Sequence, residues 1–415
     1  MTRAGRSALL LILMMVALTL AACSGRPGPM GPAGQPGPQG PPGPAGAAGP
    51  QGERGPAGQD GVSYEPPQFV GSQVCAECHQ DYYDRFIQSG HPWIMNPVVD
   101  GQAPEIPGGH VADPPEGLTW DDISYVVGGY NWKALFVDQD GFLVTGETAQ
   151  FNLESPTLER GEEWVAFHAG EEIPYDCGSC HTTGYSAQDS QDGMPGMVGV
   201  FVQPGVQCEA CHGAGSLHVN NPRAYSPRVV RAAQECRSCH MTSEVVAGNG
   251  FIQHTDLNYG DLFPGKHVLI DCVQCHDPHS GVVAPREARE PYLRANCEDC
   301  HFEAAQVQKP VHERIRVDCV DCHMPELIQV AQGDPESFRA DLPTHQVVIN
   351  ASQIGQFAED GTVLPQIGLD YACRQCHNAA EGIGPTLSDD VLLDVAQNYH
   401  GPLEEQAAPA EAAAP

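Results

Sequence analysis

Hydrophobic and polar positions divide the chain into stretches of different character. The first is a continuous apolar run, Ala8 to Ala22, behind a start that carries Arg3 and Arg6. It is short for a membrane span, and its basic flank predicts an export signal over residues 1–22. From Gly25 to Ser63 there is no apolar period. Every third residue is Gly through 13 unbroken triplets, with ten Pro among the other 26 positions. Three polyproline II chains wind together only when the crowded axial position is always Gly, which this period supplies. From Ser72 a helix is expected, with Ser72 as N-cap and Gly90 as the residue past its end. The runs Ile123–Tyr130 and Lys133–Asp138 are rich in β-formers. With Asp140-Gly141 and the following Phe142–Val144, they predict a hairpin in an insertion at about 120–168. The tail, residues 401–415, is low-complexity and reads as disordered.

Composition sharpens this division. The 415 residues include 46 Gly, 37 Pro, 17 Cys and 18 His, with 53 acidic side chains against 20 Lys and Arg. A net charge of −33 argues against nucleic acid as a partner, because phosphate binding needs clustered cations. Leu20-Ala21-Ala22-Cys23 resembles the bacterial lipoprotein box, in which the cysteine is lipidated and becomes the first mature residue. An ordinary signal peptide ending near a cysteine is the alternative. Several acyl chains at Cys23 would give a durable membrane anchor. Ser24, by the same resemblance, favours the outer membrane, facing outward, with the periplasmic side as the other option. The Gly-X-Y segment is a rod of roughly 120 Å at ~3.1 Å per residue, as a homotrimer or as a stiff single-chain spacer.

The other sixteen cysteines form eight Cys-x-x-Cys-His motifs. The pairs are Cys75/Cys78, Cys177/Cys180, Cys208/Cys211, Cys236/Cys239, Cys272/Cys275, Cys297/Cys300, Cys319/Cys322 and Cys373/Cys376. This is the attachment motif for haem c: two thiols add to the vinyl groups and the adjoining histidine ligates the iron. His79, His181, His212, His240, His276, His301, His323 and His377 are therefore the expected proximal ligands of eight covalent haems. One such motif could be a zinc half-site or a redox dithiol. Eight, with no cysteine left over except Cys23, exclude those readings and a disulfide framework.

Ten histidines lie outside the motifs, enough to fill eight sixth-ligand positions with two spare. The expected distal ligands are His91, His218, His254, His267, His279, His312, His345 and His400, with His110 and His168 as the spares. His218 and His279 follow their own motifs too closely to ligate their own haem, so each is expected to reach a neighbouring one. The short intervals after the second motif leave almost no independent core, so the haems must supply it. The expected fold is mainly α with much irregular loop, built around eight haems, with a small β-hairpin insertion and the collagen-like segment in front. The expected division is 1–22 signal, 23–64 anchor and stalk, 65–400 haem domain and 401–415 tail.

The stretch from Cys75 to Pro92, CAECHxxxxxxFxxSGHP, resembles the cytochrome c-552/4 type domain of multihaem cytochromes, as do CHGAGSLH at 211–218 and CHDPH at 275–279. The resemblance spans roughly residues 69–400 and implies haem packing of that family, with His91, His218 and His279 as distal ligands. It implies either an electron carrier with redox protein partners or an extracellular acceptor, or an oxidoreductase. The oxidoreductase would act on a small nitrogen or sulfur compound at one five-coordinate haem. Family reductases often bind one haem through Cys-x-x-Cys-Lys; all eight motifs here end in His, which favours the carrier and leaves no catalytic side chain to name.

Overall fold

In the computed structural model the described residues are 66–229, 231–240, 246–253, 266–287, 290–306, 310–378 and 383–401. The expected signal, Cys23, the Gly-X-Y rod, His254 and the tail beyond Gly401 lie outside them.

The first described element is helix α1, Ser72–Phe86. Its N-cap is Gly71 rather than Ser72, and it stops short of Gly90, with Ile87 as its C-cap. The reason is Glu209, a buried carboxylate that accepts the Val70 and Gly71 N–H groups at 2.8–3.0 Å. Gly71, at φ 92°, tolerates the backbone turn this requires. Ser72 is freed for another contact and donates its hydroxyl to Gln207.

The insertion is larger than a hairpin. Seven antiparallel strands form one sheet: β1 Met95–Pro97, β2 Ile123–Gly128, β3 Lys133–Asp138, β4 Phe142–Leu143, β5 Gly146–Asn152, β6 Glu163–Phe167 and β7 Ile173–Pro174. They run in the order β1-β2-β3-β4-β7, with β5 pairing β3 and β6. The Asp140-Gly141 turn does join β3 to β4: Asp138 accepts the Asp140 and Phe142 N–H groups, and Val137 faces Leu143. Alternation along β3 puts Ala134 and Phe136 on one face, Leu135 and Val137 on the other. A register shift after Ile123 lets Ile123 share a face with Val126, although simple alternation would separate them. Both faces are covered. Phe136, Phe151 and Trp164 fill one; Met95, Tyr175, Met197 and Phe201 fill the other.

A second sheet was not foreseen. Val246–Gly248 pairs Phe251–Gln253, which runs parallel to Ile328–Asp334, which in turn pairs Arg339–Leu342. Phe251, Ile252, Leu327, Ile328, Ile367 and Tyr371 close a core over it, so the haem-bearing half does possess protein packing of its own. The two sheets touch: Trp132 Nε1 donates to the Asp341 carbonyl and Gln332 Nε2 to that of Leu153. The mainly-α expectation therefore fails. Apart from α1 and α2 (Asp389–Gln397), the described α-helices are single turns of four or five residues. No described helix is long and apolar enough to cross a membrane.

Candidate haem sites

Most motif helices are as short as the motif itself. Gly178–His181, Cys208–His212, Cys272–Cys275 and Cys319–His323 each make about one turn. The histidine N–H of motifs at 177, 236, 272, 297 and 373 donates to the first cysteine's carbonyl at 2.8–3.1 Å. One helical turn thus sets the two sulfurs and the imidazole on the same side. In α1 the helix continues, but its backbone leaves helical geometry at His79 (φ −121°, ψ 42°), which turns that ring out of line.

Across from seven of the eight motif histidines stands a second imidazole. Ring centroids are 6.3 Å apart for His79–His218, 6.1 Å for His212–His279 and 6.1 Å for His240–His91. They are 6.1 Å for His276–His345, 5.9 Å for His301–His267, 6.1 Å for His323–His400 and 6.0 Å for His377–His312. Two metal–nitrogen bonds of ~2.0–2.1 Å plus two imidazole radii of about 1.1 Å give about 6.3 Å, so one ion fits between the rings of every pair. The hydrogen bonds behind the rings agree. Nδ1 of His212, His323, His377 and His218 lies 2.7–2.9 Å from a backbone carbonyl, His312 Nδ1 lies 2.6 Å from Tyr399 Oη, and His279 Nδ1 lies 3.1 Å from Asp277. Holding Nδ1 leaves Nε2 to face a metal. Burial pushes His91, His181 and His345 down to about 4, keeping them as neutral imidazoles, the form able to hold a metal. All eight motifs line one connected cavity of about 4520 Å³. That is more than four times the ~1,000 Å³ upper range of an ordinary ligand pocket. The residues present fit a set of covalent haems.

Each pair joins histidines from different segments, and His218 and His279 do reach past their own motifs, to His79 and His212. Among the described residues His110 and His168 face no motif histidine; both are exposed, beside Glu162 and Glu171, though His168 also lines the shared cavity. His181 differs from the other motif histidines. Among the described residues no imidazole faces it, its nearest ring is Tyr175 at 6.4 Å, and its buried Nδ1 has no hydrogen-bond partner.

The motifs also touch one another through their sulfurs. Cys75 meets Cys208, Cys236 meets Cys272, and Cys297 meets Cys319. Cys239 likewise meets Cys180 of the second motif. These contacts pair the first motif with the third, the second and fifth with the fourth, and the sixth with the seventh.

Two functional residues escaped the sequence reading. Glu209, inside the third motif, accepts from Val70 and Gly71 at the head of the helix carrying His79. It also accepts from Gly215, which caps the Ser216–Asn220 helix carrying His218. It therefore ties both halves of the first histidine pair. Its signal was an acid in a motif followed by the Gly-Ala-Gly that lets the chain fold back. The other residue is Tyr175, fully buried two positions before Cys177.

Comparison with known proteins agrees with this geometry. Residues 22–66 match the collagen triple helix repeat, and residues 157–213 match the family described as cytochrome c554 and c-prime. That second match falls on the second and third motifs rather than on the Cys75–Pro92 stretch. The chain is a multihaem c-type cytochrome that carries a collagen-like segment. Among its relatives, the multiheme cytochrome MtrA of Shewanella baltica is 24% identical over 176 residues, 31% of this chain and 52% of that one. The dissimilatory sulfite reductase MccA of Wolinella succinogenes is 21% identical over 355 residues, 59% of this chain and 48% of that one. The chain thus spans about half the length of these curated relatives. In fold it is similar to the outer cell wall cytochrome OcwA (TM-score 0.51, 18% identity, 79% of this chain and 86% of that one). It is also similar to the octaheme MccA structure (TM-score 0.51, 16% identity, 82% and 72%).

Proposed function

We propose that this protein is an electron carrier with eight covalent haems, most of them held between two histidines. Electrons would pass outward across the cell envelope to an extracellular acceptor or a redox protein. The observation that carries this is the set of seven imidazole pairs spaced for one iron each. Bound haem supplies one-electron chemistry between ferric and ferrous iron. The chain's own part would be to hold each haem iron between two imidazoles, leaving no place for a substrate on most of the haems, and to bring neighbouring motifs together through their cysteines. Lipidation at Cys23, export to the outer membrane and trimerisation through the Gly-X-Y rod complete the reading, with the collagen match in support. The rod would hold the haem domain off the membrane, where a bulky acceptor can reach it.

The test is the spectrum of the mature protein. Eight haems by mass with predominantly low-spin ferric signals are expected; several high-spin haems would refute the carrier. Cys23→Ala is expected to release the protein from membranes.

A second reading, an oxidoreductase acting on a small nitrogen or sulfur compound at one haem with an open face, is favoured at one position only. His181 alone has no imidazole opposite it among the described residues.

A further inference from the structure

The last described segment serves two haem sites at once. His400 faces His323 of the seventh motif, with ring centroids 6.1 Å apart. Tyr399, the residue before it, puts its hydroxyl 2.6 Å from Nδ1 of His312, the histidine that faces His377 of the eighth motif. His377 is held at its own Nδ1 by the Pro385 carbonyl at 2.9 Å. Residues 385–400 therefore supply or hold three of the four imidazoles at these two sites; the fourth, His323, is held by the Val347 carbonyl. The segment is seated on the eighth motif. Arg374 pairs with Asp389 in the first turn of α2, and Leu392 of α2 is buried. The Cys319–His323 helix of the seventh motif packs against Leu369–Cys373, which ends on the eighth and also touches α2.

Within this segment one ring touches both sites. Tyr399 lies nearly parallel to His312, at 5.7 Å and 21°, and meets the His400 ring edge-on at 5.0 Å and 79°. With Nε2 of His312 turned to a metal, Nδ1–H donates and the tyrosine oxygen accepts. Such an acceptor fixes the ring and makes the imidazole a stronger donor, which favours ferric iron. His212, His218, His323 and His377 are held by backbone carbonyls, whereas at His312 the acceptor is a side chain that one substitution removes.

We propose that Tyr399 is a positioning residue shared by two haem sites: its hydroxyl orients His312 and its ring braces His400. The seventh and eighth haems are thereby set as one unit by the C-terminal segment, and the hydroxyl lowers the potential of the eighth. The proposal rests on the two-histidine ligation proposed above and names what couples two of those sites.

The test compares Tyr399→Phe with Tyr399→Ala in the mature full-length protein, by potentiometric titration and by electron paramagnetic resonance of the ferric state. Tyr399→Phe keeps the ring and is expected to raise the potential of one haem without turning any haem high-spin. Tyr399→Ala is expected to shift two low-spin resonances, because these report the angle between the axial imidazole planes. That angle is 58° for His312–His377 and 28° for His323–His400, so the two resonances differ. Unchanged potentials in Tyr399→Phe overturn the role of the hydroxyl. A shift at one haem or none in Tyr399→Ala overturns the sharing. Predominantly high-spin haem in the wild type would instead refute the two-histidine reading, and the proposal with it. Should the alanine chain fail to mature, Tyr399→Leu carries the same expectation.

Discussion

Replacing Glu209 by Ala tests whether one carboxylate holds the first histidine pair together. The wild-type side chain accepts the N–H groups of Val70, Gly71 and Gly215 at 2.7–3.0 Å while only 3% exposed. Each buried donor left without a partner costs about 1–3 kcal/mol, so the three together are worth about 3–6 kcal/mol when water partly replaces the lost contacts. Because covalent cofactors spoil two-state melting, the assay is amide hydrogen exchange by mass spectrometry rather than a global midpoint. Exchange in residues 66–75 and 213–220 should accelerate by ~10²–10⁴ at about 1.4 kcal/mol per tenfold. Glu209→Gln keeps one acceptor oxygen and should give roughly half the free-energy loss. The linkage is to ligation, since the loosened segments carry His79 and His218. The variant is therefore expected to show a new high-spin fraction from that haem. Exchange accelerated by less than tenfold, with an unchanged spectrum, would refute the claim that Glu209 couples the two histidines.

His345→Ala should convert one low-spin haem to high-spin, whereas His110→Ala and His168→Ala should leave the ferric spectrum unchanged; a spectral change in either of the last two would upset the pairing. Phe136→Ala removes a fully buried ring from the insertion sheet and should destabilise it by about 3–5 kcal/mol in urea, with the haem spectrum retained. Gly141→Ala puts a Cβ 2.5 Å from the Met197 backbone nitrogen at φ 89°. A left-handed non-glycine residue costs about 1–2 kcal/mol before any clash, so the sheet should loosen by at least that much, read by hydrogen exchange across 133–152. Burial raises Asp370 from 3.8 to about 6. A raised carboxylate favours the folded state below its unfolded value, and that stability is lost as pH climbs through about 6. Asp370→Asn should therefore gain on wild type by about 2–3 kcal/mol between pH 4 and pH 7 at ~1.36 kcal/mol per unit, and a pH-independent difference would count against the burial argument.

What the sequence disclosed is what is local. A haem motif is five consecutive residues, the Gly-X-Y period is contiguous, and the Asp140-Gly141 turn lies between its own strands. The failures are non-local. Strand 251–253 finds its parallel neighbour at Ile328–Gln329, a pairing no short window can hold, and β7 is a two-residue strand with no pattern to detect. Ser72 has the chemistry of an N-cap, but Gly71 holds that position with its N–H fixed by a carboxylate from the third motif. Which histidine faces which was out of reach for the same reason. His91 belongs to the first motif's segment yet faces His240 of the fourth.

The reach of these pairs bears on how the protein is made. His323 faces His400, and His79 faces His218. A chain exported from its N-terminus delivers Cys75–His79 long before residue 218 follows, and the seventh motif waits for nearly the last described residue. Haem attachment, which needs only the five-residue motif, can therefore proceed on an unfolded chain, but axial closure cannot keep pace with it. Under the proposed export, each newly attached haem would spend an interval with one face open to its surroundings. A chain cut before residue 400 would carry all eight attachment motifs yet leave His323 without its facing imidazole.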